Sequence, residues 1–61
     1  MADVILEIFE RSDGLFDWRL VAGNGEIVCG TDQGFTTAHD TERAIQRARL
    51  LMAEADVVRL R

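Results

Sequence analysis

The spacing of apolar positions changes period once along the chain, near Gly34-Phe35, and the change separates a sheet-forming part from a helix-forming part. In residues 4–11, Val4, Leu6 and Ile8 recur at every second position with Ile5, Glu7 and Phe9 between them, which predicts a first strand. Ser12-Asp13-Gly14 carries turn chemistry, because Asp bonds its local backbone and Gly accepts a positive φ. Phe16, Trp18, Leu20 and Ala22 then repeat at period two, predicting a second strand over 15–22. Asn24-Gly25 is a strong hairpin signal, expected as a two-residue type I′ loop with positive φ at both positions, and a third strand follows over 26–30.

The two turns fix an expected register. A three-residue loop at 12–14 sets Ile8 opposite Trp18, Leu6 opposite Leu20 and Val4 opposite Ala22. A two-residue loop at 24–25 sets Ala22 opposite Ile27, Leu20 opposite Cys29 and Trp18 opposite Thr31. Together they gather Val4, Leu6, Ile8, Phe16, Trp18, Leu20, Ala22, Ile27 and Cys29 on one apolar face. Glu7 then lies opposite Arg19 on the other face, flanked by Phe9 with Asp17 and Ile5 with Val21, and this mixed face is expected to meet solvent.

Beyond the period change, Thr37 is placed to cap a helix over 38–54, with Asp40 supplying a favourable first-turn charge. Thr41, Ala44, Ile45, Ala48, Leu51, Met52 and Ala55 form its apolar stripe. The last residues, 56–61, alternate Val58 and Leu60 against Val57, Arg59 and Arg61 and read as a fourth strand. The expectation is a single α+β domain over 1–61: a β-β-β-α-β unit whose antiparallel sheet carries the helix on one face.

Composition narrows the function. A chain of 61 residues buries only about 60% of its unfolded surface, so a partner subunit would help it fold. One Cys and one His exclude an internal disulfide and a His/Cys zinc site, and no apolar run is long enough to span a bilayer. No signal peptide is evident either, so the expected compartment is the cytosol. A net charge of −4 argues against broad binding to nucleic acid.

The residues that could carry chemistry have plainer roles. Cys29 falls on the expected core face, where a thiol acts as a small hydrophobe. His39, in the first helical turn, has no second ligand or nucleophile at a useful spacing. Gly23, Gly25, Gly30 and Gly34 do not make a phosphate-binding loop. Phe16 and Trp18 could stack bases, but their partners place them in the core. No catalytic residue, cofactor or metal is expected. Arg19, Arg43 and Arg47 are the candidate ligand or partner surface, and Arg43 with Arg47, one helical turn apart, could bind a weak RNA or anionic ligand as the alternative to a protein-interaction module.

The stretches "FDWRLVAGNGEIVCG", "QGF" and "TERAIQRA", in this order, resemble the YegP-like family of small domains of unknown function. Phe16, Trp18, Arg19, Leu20, Asn24, Gly25, Glu26, Ile27, Gly34, Phe35, Ala44 and Ile45 carry the resemblance. It imports no catalytic motif. What it implies is two units sharing one antiparallel sheet with their C-terminal strands exchanged. For a chain holding one unit, that means a homodimer with Val57, Val58 and Leu60 as the expected contacts. The function expected is that of a small, non-enzymatic homodimeric interaction module.

Overall fold

The computed structural model describes residues 3–60 and contains strands β1 (Ile5–Glu10), β2 (Phe16–Val21) and β3 (Ile27–Gly30) and helix α1 (Ala38–Glu54). The strands form one antiparallel sheet in the order β1-β2-β3, and α1 packs over β1 and β2, giving an α+β fold. Leu6, Trp18, Leu20 and Cys29 of the sheet and Ile45, Ala48 and Met52 of the helix line the same cleft, so the apolar face is the helix-facing one. The helix begins as its sequence requires: Thr37 is extended (φ −137, ψ 158), and its Oγ1 accepts from the Asp40 N–H at 3.0 Å.

The register of β1 on β2 is the expected one, with Ile8 opposite Trp18, Leu6 opposite Leu20 and Glu7 opposite Arg19. The second hairpin departs from expectation at its turn. Ala22 N–H donates to Glu26 C=O and Gly25 N–H to Ala22 C=O, so the loop is three residues, Gly23 to Gly25, and only Gly25 has positive φ (87°). Val21, not Ala22, therefore faces Ile27. A bulge at Val28 then shifts the strand by one residue and restores Leu20 opposite Cys29. Two departures of one residue each cancel.

Both hairpins thus use one device, an Asx-Gly pair in a three-residue loop. Asp13 Oδ1 accepts from Leu15 N–H at 3.1 Å, and Asn24 Oδ1 accepts from Glu26 N–H at 3.0 Å. Gly25→Ala places a Cβ in left-handed backbone and is expected to cost about 1–2 kcal/mol, whereas Gly25→Asn should cost less. Thermal melts of the two variants check this order.

The interior of the single chain is small. Ile45, 6% exposed, is the one buried apolar side chain among the described residues, and Thr41 on the same helix is fully buried. The C-terminal half of the helical stripe is open, Leu51 and Met52 being 53% and 70% exposed. Cys29 is also exposed, which corrects the expectation of a buried thiol: α1 lies over β1 and β2, leaving the inner face of β3 uncovered. Ile27, expected on that inner face, is instead paired with Val21 on the Glu7 and Arg19 side of the sheet, because the bulge separates its register from that of Cys29. The expected fourth strand is not formed within the chain either. Residues 56–60 make no strand, and the Arg61 end of that segment lies outside the described residues. The backbone at Ala55 is extended where the helix ends (ψ 138).

Candidate functional site

The candidate arginines do not form one site. Arg19 is on the sheet face away from the helix, where β2 alternation puts it between Trp18 and Leu20 of the inner face. Its Nε donates to Glu7 Oε1 at 2.7 Å, and its guanidinium lies 4.7 Å from the centre of the Phe9 ring. Both members of the ion pair are partly exposed, so the pair orders this surface while contributing only a few tenths of a kcal/mol to about 1 kcal/mol.

Arg43 and Arg47 come together, both exposed, on an open groove of about 800 Å³ with Phe35, Leu50 and Leu51. Asp40 and Glu54 line the same groove, so its charge is balanced rather than basic. Val57, Val58 and Leu60, 100%, 72% and 91% exposed, touch neither surface as part of a regular element.

The most elaborate polar arrangement was not among the sequence candidates. Asp17, only 1% exposed, has the segment after β3 wound around it. Its Oδ1 accepts from Thr31 Oγ1 at 2.8 Å, from Gln33 N–H at 3.0 Å and from Gly34 N–H at 3.2 Å. Arg11 Nη1 donates to its Oδ2 at 3.2 Å, and the same guanidinium reaches Asp13 and Asp32. Burial pushes the Asp17 carboxyl up, but the hydrogen bonds from Thr31, Gly34, Gln33 and Arg11 outweigh it and hold it below its ordinary value of 3.8.

Gly34 is required there: its φ is 72°, and a Cβ would meet Leu15 Cδ1 at 2.9 Å. Having passed Asp17, the chain pairs once more with β2, Phe16 and Phe35 exchanging both backbone hydrogen bonds at 2.7 and 2.8 Å. This carboxylate therefore sets where Phe35 enters the groove. The signal in the sequence was Asp17 itself, a residue depleted from strands, placed between two aromatics with a Thr-Asp-Gln-Gly loop downstream. Among the described residues no buried side-chain nitrogen or oxygen lacks a hydrogen-bond partner, so the cluster is satisfied from within the chain, which marks it as architecture. Among the described residues, no group of three or more His, Cys, Asp or Glu side chains could hold a metal ion, and no helix is long and apolar enough to cross a membrane.

Residues 12–58 match a family described as Domain of unknown function (DUF1508), the family of the YegP-like domains. The chain belongs to this family. The DUF1508 match starts at the first turn and runs through the helix into Val57 and Val58. No curated protein matches the chain. The NMR solution structure of a protein from Haloferax volcanii has the same fold, with a TM-score of 0.84 at 25% identity. The alignment covers 97% of this DUF1508 domain and 98% of the Haloferax chain, so the two units coincide over nearly their whole lengths.

Proposed function

We propose that this DUF1508 domain works as a homodimeric, non-enzymatic interaction module in which two chains share a sheet and exchange their C-terminal segments. The observation that carries the reading is surface area. The chain exposes 5214 Å², whereas a compact monomer of 6.8 kDa exposes roughly 4,000 Å². The excess, roughly 1,200 Å² per chain, is in the range that one side of an obligate homodimer interface buries. Its apolar part includes Leu6 of β1 and Met52 of α1, which line the cleft, with Ile8 beside Leu6 on the same face of β1 and Val57, Val58 and Leu60 beyond the helix. With the inner face covered by a second chain, the mixed outer face around Glu7, Arg19 and Phe9 is left for a further protein partner. The single, unpaired Cys29 fits a reducing compartment such as the cytosol. The direct test is the mass of the purified chain in dilute solution.

A second reading, a weak RNA or anionic-ligand binder, is favoured by one observation: neither Arg43 nor Arg47 has an ion-pair partner among the described residues, and both line the open groove. Asp40 and Glu54 work against it. The module reading expects no saturable binding of single-stranded RNA at low salt. Saturable binding that disappears when both arginines are replaced by alanine would put the second reading in its place.

A further inference from the structure

We propose that Asn24 is a site of self-modification by deamidation, in which the turn supplies the nucleophile and water is the co-reactant. The reaction needs a side-chain carboxamide held against the backbone nitrogen of a following residue that has no side chain to screen it. Asn24 is the single asparagine of the chain, and Gly25 follows it. Both are exposed, and only open space surrounds the place where a Cβ on Gly25 would stand. Asn24 Oδ1 accepts from the Glu26 N–H at 3.0 Å, and the ring closed by this bond contains both reacting atoms, Asn24 Cγ and Gly25 N. The same N–H is placed to stabilise the negative charge that gathers on Oδ1 as the new bond forms. One bond opposes the reaction: Gly25 N–H donates to Ala22 C=O at 2.9 Å and must open before the nitrogen can give up its proton.

The bond from Gly25 N to Asn24 Cγ forms while that from Cγ to Nδ2 breaks, and Nδ2 leaves as ammonia, carrying the proton lost by Gly25 N. Water then adds to one of the two carbonyl carbons of the resulting five-membered imide. Opening at Cγ gives aspartate in an unaltered backbone, whereas opening at the backbone carbonyl gives isoaspartate, with the chain routed through the former side chain. The first product keeps an acceptor for the Glu26 N–H, as Asp13 does for Leu15 N–H in the first hairpin. The second adds a backbone carbon inside the loop closed by Ala22 N–H on Glu26 C=O, next to the Val21 and Ile27 pair, and loosens the start of β3. Asp13-Gly14 has the same loop and the same side-chain bond, but its carboxylate, ion-paired with Arg11 at 3.0 Å, is a poor electrophile. Of the two turns, only the second carries the reactive amide.

The experiment incubates the wild-type chain beside the free peptide of residues 21–28 at neutral pH in heavy-oxygen water, with peptide mass mapping of position 24. Folding adds to the barrier only the opening of one exposed turn bond, so the chain is expected to lose its amide within roughly tenfold of the peptide's rate. It should take up one heavy oxygen at position 24, and part of the product should accept a methyl group from an isoaspartyl methyltransferase. A slower loss than that, or loss confined to Gln33 and Gln46, would overturn the proposal. Gly25→Ala puts a Cβ beside the nitrogen and should keep the amide longer in both chain and peptide, and an unchanged rate in the peptide would mean that Gly25 N is not the nucleophile. The two products, separated by chromatography, should melt differently, the aspartate form near wild type and the isoaspartate form below it. Coincident melts would overturn the predicted effect on β3.

Discussion

Deleting residues 56–61 is expected to turn the protein into a species that sediments as one chain at every accessible concentration. Val57, Val58 and Leu60 are almost wholly exposed in the single chain, and burying each against a partner is worth about 1.5 kcal/mol or more. With two such segments per dimer, their loss amounts to several powers of ten in the dissociation constant. In the proposed dimer the truncated chain would also lose the cover over Leu6, Ile8 and Met52, so its unfolding transition should be broad and occur at lower temperature. Sedimentation velocity together with near-ultraviolet circular dichroism reads both effects. A truncated chain that remained dimeric and melted like the full chain would show that the segment has no part in assembly.

The second large effect is expected at Asp17. Asp17→Ala leaves the N–H groups of Gln33 and Gly34 and the Thr31 hydroxyl without their acceptor, and it frees Arg11 from its most buried partner. In so small a domain the melting temperature should fall by roughly 10 °C or more. Hydrogen exchange at Gln33 and Gly34 should quicken before that of β2. Asp17→Asn keeps the shape and one acceptor and should fall between alanine and wild type. The carboxylate also has a pH signature. Its pKa is lower in the folded state than the ordinary 3.8, so the stability it contributes is fully present above that value and is lost as pH falls through the lowered one. Melts of Asp17→Asn between pH 2 and pH 7 should lack that part of the acid decline. An unchanged acid limb would mean that the charge at Asp17 does not matter to the fold.

Local chemistry made much of this fold legible. Ser12-Asp13-Gly14 closes the first hairpin as a three-residue loop, and every expected pair between Ile5 and Phe9 and their β2 partners follows from it. Thr37 caps the helix for the same reason, a side-chain oxygen within reach of a first-turn N–H. At Asn24-Gly25 the dipeptide signalled a turn without fixing its length. Asn24 needs no positive φ when its side chain instead accepts from Glu26, and the Val28 bulge compensates in a way that no pattern of apolar residues reports.

Asp17 was hidden for a different reason. A period-two pattern sorts residues by face, and an acidic residue on the outer face reads as solvated, although here a later loop folds back to bury it. Cys29 departed from expectation because α1 covers β1 and β2 but not β3, and residues 56–60 because alternation of apolar residues does not by itself name the strand they would pair with. Arg19 and the pair Arg43 and Arg47 were recognisable as surface residues, but only the pleat of β2 separates the first from the other two.

The most direct measurement is the molecular mass of the full-length chain by sedimentation equilibrium, followed down to low micromolar concentration. A dimer predicts twice 6.8 kDa throughout that range. A stable, cooperatively folded species of 6.8 kDa would mean that the single chain tolerates its open sheet face without a second copy, and would contradict the account.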